Sequence, residues 1–196
     1  VESRVGAGTF VAAGTPGAAT PGHLLDYRPE DGGILDLWHD LHGDEWLYAT
    51  GFEEWHKWTG THWQADAGGY GLKAEIADVT DGMNRTARAL RAAAVKVNDK
   101  DETRRLTAYV DATKRTAARV ASVEGLARLR RYVAANLLDA ADVLNLSNGT
   151  LDLANGLLSA HDPDDRLTYC LPYAYDPAAV APNWAAFLSR IDPETV

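Results

Sequence analysis

The sequence predicts an α+β fold, mainly helical: a three-helix core with a small Trp-rich β unit before it and a β-hairpin plus short helix after it. Three observations carry this reading. Apolar residues recur every three or four positions through most of the stretch from Leu72 to Leu137, the spacing of one helical face. Four Trp fall in short runs between positions 46 and 63, where aromatic residues favour strands. After Leu138 the helical period gives way to two short runs flanking Asn148-Gly149, and then to Pro172, Pro177 and Pro182, a hairpin signal followed by a restricted exit. With 196 residues and 46% hydrophobic residues, the chain holds one domain, or one domain plus a tail.

Residues 1–33 are rich in Gly, Ala, Thr and Pro. Such a composition buries too little apolar surface to offset its ordering entropy. The expectation is a flexible linker, with a short extended piece at Gly8–Ala13 and a larger domain upstream in the parent protein. A start at Val1 instead of Met fits a fragment. The domain proper is then residues 34–196. Ile34, Leu37, Trp38 and Leu41 have helical spacing, and Gly43 ends that helix. Trp46–Ala49, Glu54–Trp58 and Thr61–Ala65 read as strands, with Thr59-Gly60 as a tight turn. This helix and aromatic unit fill residues 34–70.

Residues 71–138 read as three basic helices. The first begins near Gly71 and carries Leu72, Ile76, Val79, Met83, Ala87, Leu90, Ala94 and Val97 as one stripe. Asn98-Asp-Lys-Asp101 breaks it. The second runs from about Glu102, with Leu106, Tyr109, Val110, Ala117 and Val120 inward. Ser122 is expected to cap the third, with Val123, Leu126, Leu129, Val133 and Leu137 inward. In residues 139–196, Val143–Leu146 and Thr150–Leu153 form the hairpin and Leu167–Leu171 a further strand. Pro182 opens a short helix bearing Trp184, Phe187, Leu188 and Ile191.

Several chemistries lack their residues. No Gly-rich loop ending in Gly-Lys-Ser/Thr is present, so the chain itself has no nucleotide-phosphate cradle. No Gly-x-Ser-x-Gly elbow or other nucleophile motif occurs, and the sequence singles out no catalytic residue. His39 and His42, with Asp40 and Asp44 near, sit at helical spacing, but the zinc ligand count is incomplete; no metal site is expected. Asp99-Lys-Asp101 and the Asp162, Asp164, Asp165 group lack the Gly and Glu of a calcium loop and read as acidic turns. The single Cys170 has no disulfide or zinc partner and fits a reducing cytoplasm. Asn84, Asn145 and Asn148 open N-x-Ser/Thr triplets. With no basic start and apolar stretch for secretion, these read as chance. No apolar run approaches the roughly 18 residues needed to cross a bilayer.

Charge is distributed unevenly. The net charge is −9, yet residues 71–138 hold 14 Lys/Arg against 8 Asp/Glu, while the segments before and after are strongly acidic. Arg85, Arg88 and Arg91 lie away from the first helix's stripe, Arg115 and Arg119 are one turn apart, and Arg128, Arg130 and Arg131 crowd the third helix. These eight are the candidate DNA contacts, of the kind that neutralises phosphates without reading bases. Solvated helix faces also collect such charges.

The order of motifs resembles a known family. Trp55-His-Lys-Trp58-Thr-Gly60-Thr-His-Trp63-Gln-Ala-Asp66 is followed by the helical stretch. Then come Leu144-Asn145, Asn148-Gly149, Leu151-Asp-Leu153, Gly156, His161-Asp-Pro163, Asp165, Leu171-Pro-Tyr173, Tyr175-Asp-Pro177, Pro182, Trp184 and Phe187-Leu188. Over about residues 34–196 this is similar to the segment before the ATPase core in phage and plasmid primases of the poxvirus-like, superfamily-three helicase group. The resemblance implies a parent protein with that ATPase after this domain, often a primase domain before it, and a hexameric ring that unwinds DNA. It implies ATP and Mg as cofactors of the parent, with none in this chain. The implied partners are DNA, bound non-specifically, and other copies of the parent, with no membrane. The implied setting is the cytoplasm of a bacterial host. The family offers no catalytic residue to carry over. A second reading keeps the chain as an independent ligand- or carbohydrate-binding domain using Trp46, Trp55, Trp58 and Trp63; burial of all four rings would rule it out.

Overall fold

The computed structural model describes residues 23–191. Most of the expected linker, including the piece at Gly8–Ala13, lies outside the described residues. A 3-10 turn at His23–Leu25 precedes helix α1 (Asp31–His42), and another at Gly43–Glu45 leads to strands β1 (Trp46–Ala49), β2 (Glu54–Trp58) and β3 (Trp63–Asp66). Three helices follow: α2 (Tyr70–Lys96), α3 (Lys100–Ala112) and α4 (Ala117–Arg131). Then come β4 (Tyr132–Val133), β5 (Val143–Leu146), β6 (Gly149–Asp152), β7 (Leu158–Ser159) and α5 (Pro182–Ile191). The fold is α+β and mainly helical, as predicted. It comprises two units, Val1–Trp55 with Asp66–Val133 and His56–Ala65 with Ala134–Val196. These cut across the sequence-ordered thirds, because the β2–β3 turn region belongs to the second unit.

The first unit is built on α1, α2, α3 and α4. Its core holds Ile34, Leu37, Trp38, Leu72, Ile76, Met83, Leu106 and Val123, all fully buried, and Trp46 and Trp55 nearly so. Trp55 is the hub, with ring centroids 6.5 Å from Trp38, 6.3 Å from Trp46 and 5.2 Å from Tyr48. β1 pairs in parallel with β4 through Tyr48–Tyr132 and Ala49–Val133. The fold starts earlier than residue 34. Leu24, Leu25 and Tyr27 pack on the core, and α1 begins at Asp31 despite Gly32-Gly33. Gly33 is required there because a Cβ would fall 2.1 Å from the Arg28 carbonyl oxygen.

Caps set the helix limits. Asp66 accepts from the amides of Gly71 at 3.1 Å and Leu72 at 3.0 Å, closing the first turn of α2. Asp99 accepts from the Glu102 amide at 3.0 Å and starts α3. Three helix expectations need correction. The second helix stops at Ala112, so Ala117 and Val120 belong to α4. The cap of α4 is Thr116, which accepts from the Arg119 amide at 3.1 Å, and Ser122 lies inside the helix. Its inward face is Val123, Glu124 and Ala127; Leu126, Leu129 and Leu137 are exposed, and Val133 is in β4. The inward face was disguised by a charged residue, Glu124. The α2 stripe is also interrupted: Leu90 is exposed although Ala94, one turn on, is buried, and Val97, just past the end of α2, is exposed.

The second unit is organised around Asn145, which is fully buried. Its amide donates to the Thr61 carbonyl at 2.8 Å and the Tyr169 carbonyl at 2.6 Å. Trp63 adds a backbone bond to the Leu167 carbonyl and an indole bond to the Pro163 carbonyl, each 2.8 Å. The expected hairpin is present with a shifted turn. Leu146 pairs with Gly149, so Ser147-Asn148 form the turn and Gly149 is already in β6. Gly149 adopts φ 147°, and a Cβ there would lie 2.2 Å from the Ser159 carbonyl oxygen; β7 comes this close because position 149 is glycine. The Asn148 side chain instead braces the exit segment, donating to the Tyr175 carbonyl at 3.0 Å and accepting from its amide at 2.8 Å. The predicted strand at Leu167–Leu171 is reduced to one bridge, Leu146 with Leu171. The third predicted aromatic strand begins at Trp63, since Thr59 and His62 close the turn.

One acidic turn carries a pH signature. Burial, and then Asp162, raise the Asp165 carboxyl above its ordinary value, while a hydrogen bond with Thr150 partly opposes this. The folded state therefore holds its proton to higher pH than the unfolded chain does. The resulting stability is present below the unfolded value and is lost as pH rises through the folded one. Asp165→Asn should raise the melting temperature at pH 7, and the gain should shrink as pH falls through the ordinary carboxylate range. A pH series of thermal melts checks this; a gain independent of pH contradicts it.

Candidate nucleic-acid interface

The eight arginines predicted to meet DNA fall into two groups. Four are tied into the protein. Arg119 donates to the Ala112 carbonyl, to the Lys114 carbonyl at 2.9 Å and to Asp31 at 3.0 Å, closing the end of α3. Arg131 donates to the Trp46 carbonyl at 2.8 Å. Arg128 pairs with Glu124 at 2.7 Å and lies over the Tyr48 ring. Arg130 pairs with Asp36 at 2.6 Å. Arg119 and Arg131 thus satisfy backbone carbonyls of the fold, and Arg128 and Arg130 are held by side-chain pairs.

The other four are less committed. Arg85 is exposed on α2 and makes no ion pair among the described residues. Arg88 bonds the Asn84 amide oxygen through Nε at 2.7 Å. Arg91 is half-buried and, with Arg88, acts on Asp111, whose carboxyl is held below its ordinary value chiefly by its bond with Lys114. Arg115 meets Asp81 at 3.4 Å, with half its side chain exposed. Asn84 explains part of this arrangement. Its NH2 donates to the Val110 carbonyl at 2.8 Å and to Thr113 Oγ1 at 3.0 Å, so α2 finishes the last turn of α3. That contact brings Arg88 to the α3–α4 turn, where Lys114 and Arg115 stand. Sequence reasoning missed Lys114 and Asn84; the Thr113-Lys-Arg-Thr116 break between two apolar stripes was the available signal.

The remaining candidates have other employment. Trp46, Trp55 and Trp63 are 1%, 2% and 3% exposed, so they build cores and are closed to a ligand; Trp58 is half-buried with its centroid 5.4 Å from that of Trp63. His39 Nδ1 is buried without a partner beside Gly43. His42 instead gathers with Glu45 and Glu75, their ligand atoms within 4.8 Å of one another. One Glu75 oxygen already accepts the Trp46 indole N–H at 2.7 Å. Asp99 caps α3, Asp101 pairs with Arg104, and Asp162 accepts from the Asp164 amide.

Residues 36–193 match the family described as D5 N terminal like. The chain belongs to this family. It is thus a domain of the kind that forms the N-terminal part of primase–helicase family proteins, and its replication setting follows from that membership. No curated protein matches it. No helix among the described residues is long and apolar enough to cross a membrane.

Proposed function

We propose that the chain is an accessory domain of a phage or plasmid DNA replication primase–helicase. In this reading it contacts DNA without sequence preference and assists ring assembly beside an ATPase motor carried elsewhere in the parent protein. Family membership over residues 36–193 carries the reading; the loosely held cations of α2 and the α3–α4 turn support the DNA part. The motor would use ATP and Mg, and this domain would need no cofactor of its own. Residues 34–196 would act as one helicase-associated domain, working as a homo-oligomer, a hexamer in the parent, in the bacterial cytoplasm. The rival reading as a Trp-rich sugar or ligand receptor is left with the half-buried Trp58 alone, because the other three rings are buried.

Fluorescence anisotropy of the full chain with a labelled oligonucleotide of arbitrary sequence tests the DNA part. Binding should weaken steeply with salt, with a slope of about −2 in log K against log salt if about three phosphates are neutralised. It should be the same for unrelated sequences. Absence of binding at low salt removes the DNA role. Light scattering that finds a monomer at every concentration removes the assembly role for this domain alone.

A further inference from the structure

Two surface cavities of the first unit share the walls Arg115 and Thr116. One, of about 470 Å³, is completed by Asp81, Asn84, Arg88 and Lys114. The other, of about 540 Å³, runs over Ala74, Ala77, Ala117 and Ala121 toward Lys73. Both volumes fall within the roughly 300–1,000 Å³ of ligand sites. We propose that they form one groove that takes single-stranded nucleic acid, with phosphates held by Arg88, Lys114 and Arg115 and the sugars and bases crossing the alanine floor. This rests on the DNA-contacting reading above and assigns it a place.

Charge favours a polyanion. Three cations line the first cavity against one acid, Asp81. Their present partners are replaceable. Lys114 and Asp111 pair at 2.9 Å with about 60% of each side chain exposed, and Arg115 meets Asp81 at 3.4 Å. Exposed pairs of this kind contribute little and exchange readily with other partners, while a phosphate accepts charge-assisted bonds from a guanidinium fork. Asn84 holds Arg88 only through Nε, which leaves both terminal NH2 groups for a ligand. The start of α4 lies at the same place, and its first turn holds no acid, so its dipole adds to the attraction. The far end is weaker, because Lys73 already binds the Gly68 carbonyl at 3.0 Å and Glu124 at 3.5 Å.

The floor decides the kind of strand. Small apolar side chains leave room for a sugar or a base, whereas a duplex presents both backbones and keeps its bases stacked inside. No aromatic ring lines either cavity, so no stacking platform exists and base preference should be slight.

The test uses the full chain with labelled dT16, rU16 and a 16-base-pair duplex at low salt. The reversals Arg88→Glu with Lys114→Glu should weaken dT16 by about tenfold or more. Equal reversals outside the groove, Lys100→Glu with Arg104→Glu, should cost about threefold or less. Ala121→Trp, at an exposed position, should block the floor and weaken dT16 by about fivefold with no charge change and an unchanged melting temperature. Binding of rU16 at the strength of dT16 supports contact with the shared sugar–phosphate chemistry, and a dT16 preference supports DNA. If the unaltered chain binds dT16 but the control reversals cost as much as the groove reversals and Ala121→Trp costs nothing, the groove is overturned while the DNA reading stands. Preference for the duplex overturns it likewise. No binding of any probe overturns both.

Discussion

Trp55→Ala should destabilise the first unit by about 3–5 kcal/mol, the cost of removing a large buried ring and leaving its cavity. The ring is 2% exposed and stands edge-on to both Trp38 and Trp46. Edge-to-face aromatic pairs add about 0.5–1.5 kcal/mol each beyond burial. Its indole N–H also donates to Glu124 at 3.3 Å, so truncation leaves that carboxylate short of a donor. Urea denaturation followed by circular dichroism measures the loss. Phe52→Ala is the control, since Phe52 is 64% exposed and its removal should stay within about 0.5 kcal/mol. A loss below about 1 kcal/mol at Trp55 would show that the aromatic cluster is not the core.

Much of this core was legible. Trp46–Ala49 and Glu54–Trp58 are strands at their predicted limits because aromatic residues suit a pleated, half-buried surface and Gly60 turns the chain at φ 94°. Leu72, Ile76, Val79, Met83 and Ala87 follow the helical period and are buried as that period requires. Pro182 starts α5 where its fixed φ suits a first turn. Misreadings occurred where an apolar period ceased to report burial. In α4 the inward face includes Glu124, a charge that a hydrophobic pattern discards, while Leu129 points to solvent at 73% exposure. Asn148 sits in the turn as its chemistry predicts, but its side chain also acts on Tyr175, 27 residues on, which no local pattern shows.

The candidate site was half legible for a related reason. Charge counting identified the basic middle of the chain, and Arg88 and Arg115 were named from it. Counting could not separate them from Arg119 and Arg131, whose guanidinium groups are spent on backbone carbonyls. That distinction depends on where helix ends meet, and the meeting of Asn84 with the end of α3 is a tertiary fact. Lys114 is invisible to such counting because a lysine in a short break carries no period at all.

The second large effect concerns the charge that disguised α4. Glu124 has a side chain 7% exposed and pairs with Arg128 at 2.7 Å and Lys73 at 3.5 Å. Lys73→Ala or Arg128→Ala alone leaves one cation beside it, and each should cost about 1–2 kcal/mol, since both cations are over a third exposed. Together they leave a buried carboxylate without a counter-charge, and the pair should cost about 3–5 kcal/mol. The double loss should therefore exceed the sum of the singles, as expected for residues sharing one partner. Adding Glu124→Leu to the double variant should restore much of the stability, because a hydrophobic residue of similar size needs no counter-charge. Strictly additive losses, or a further loss on adding Glu124→Leu, would mean that α4 is held at this point by packing alone, with the buried charge solvated through the polar cavity lined by Asp66 and Lys73.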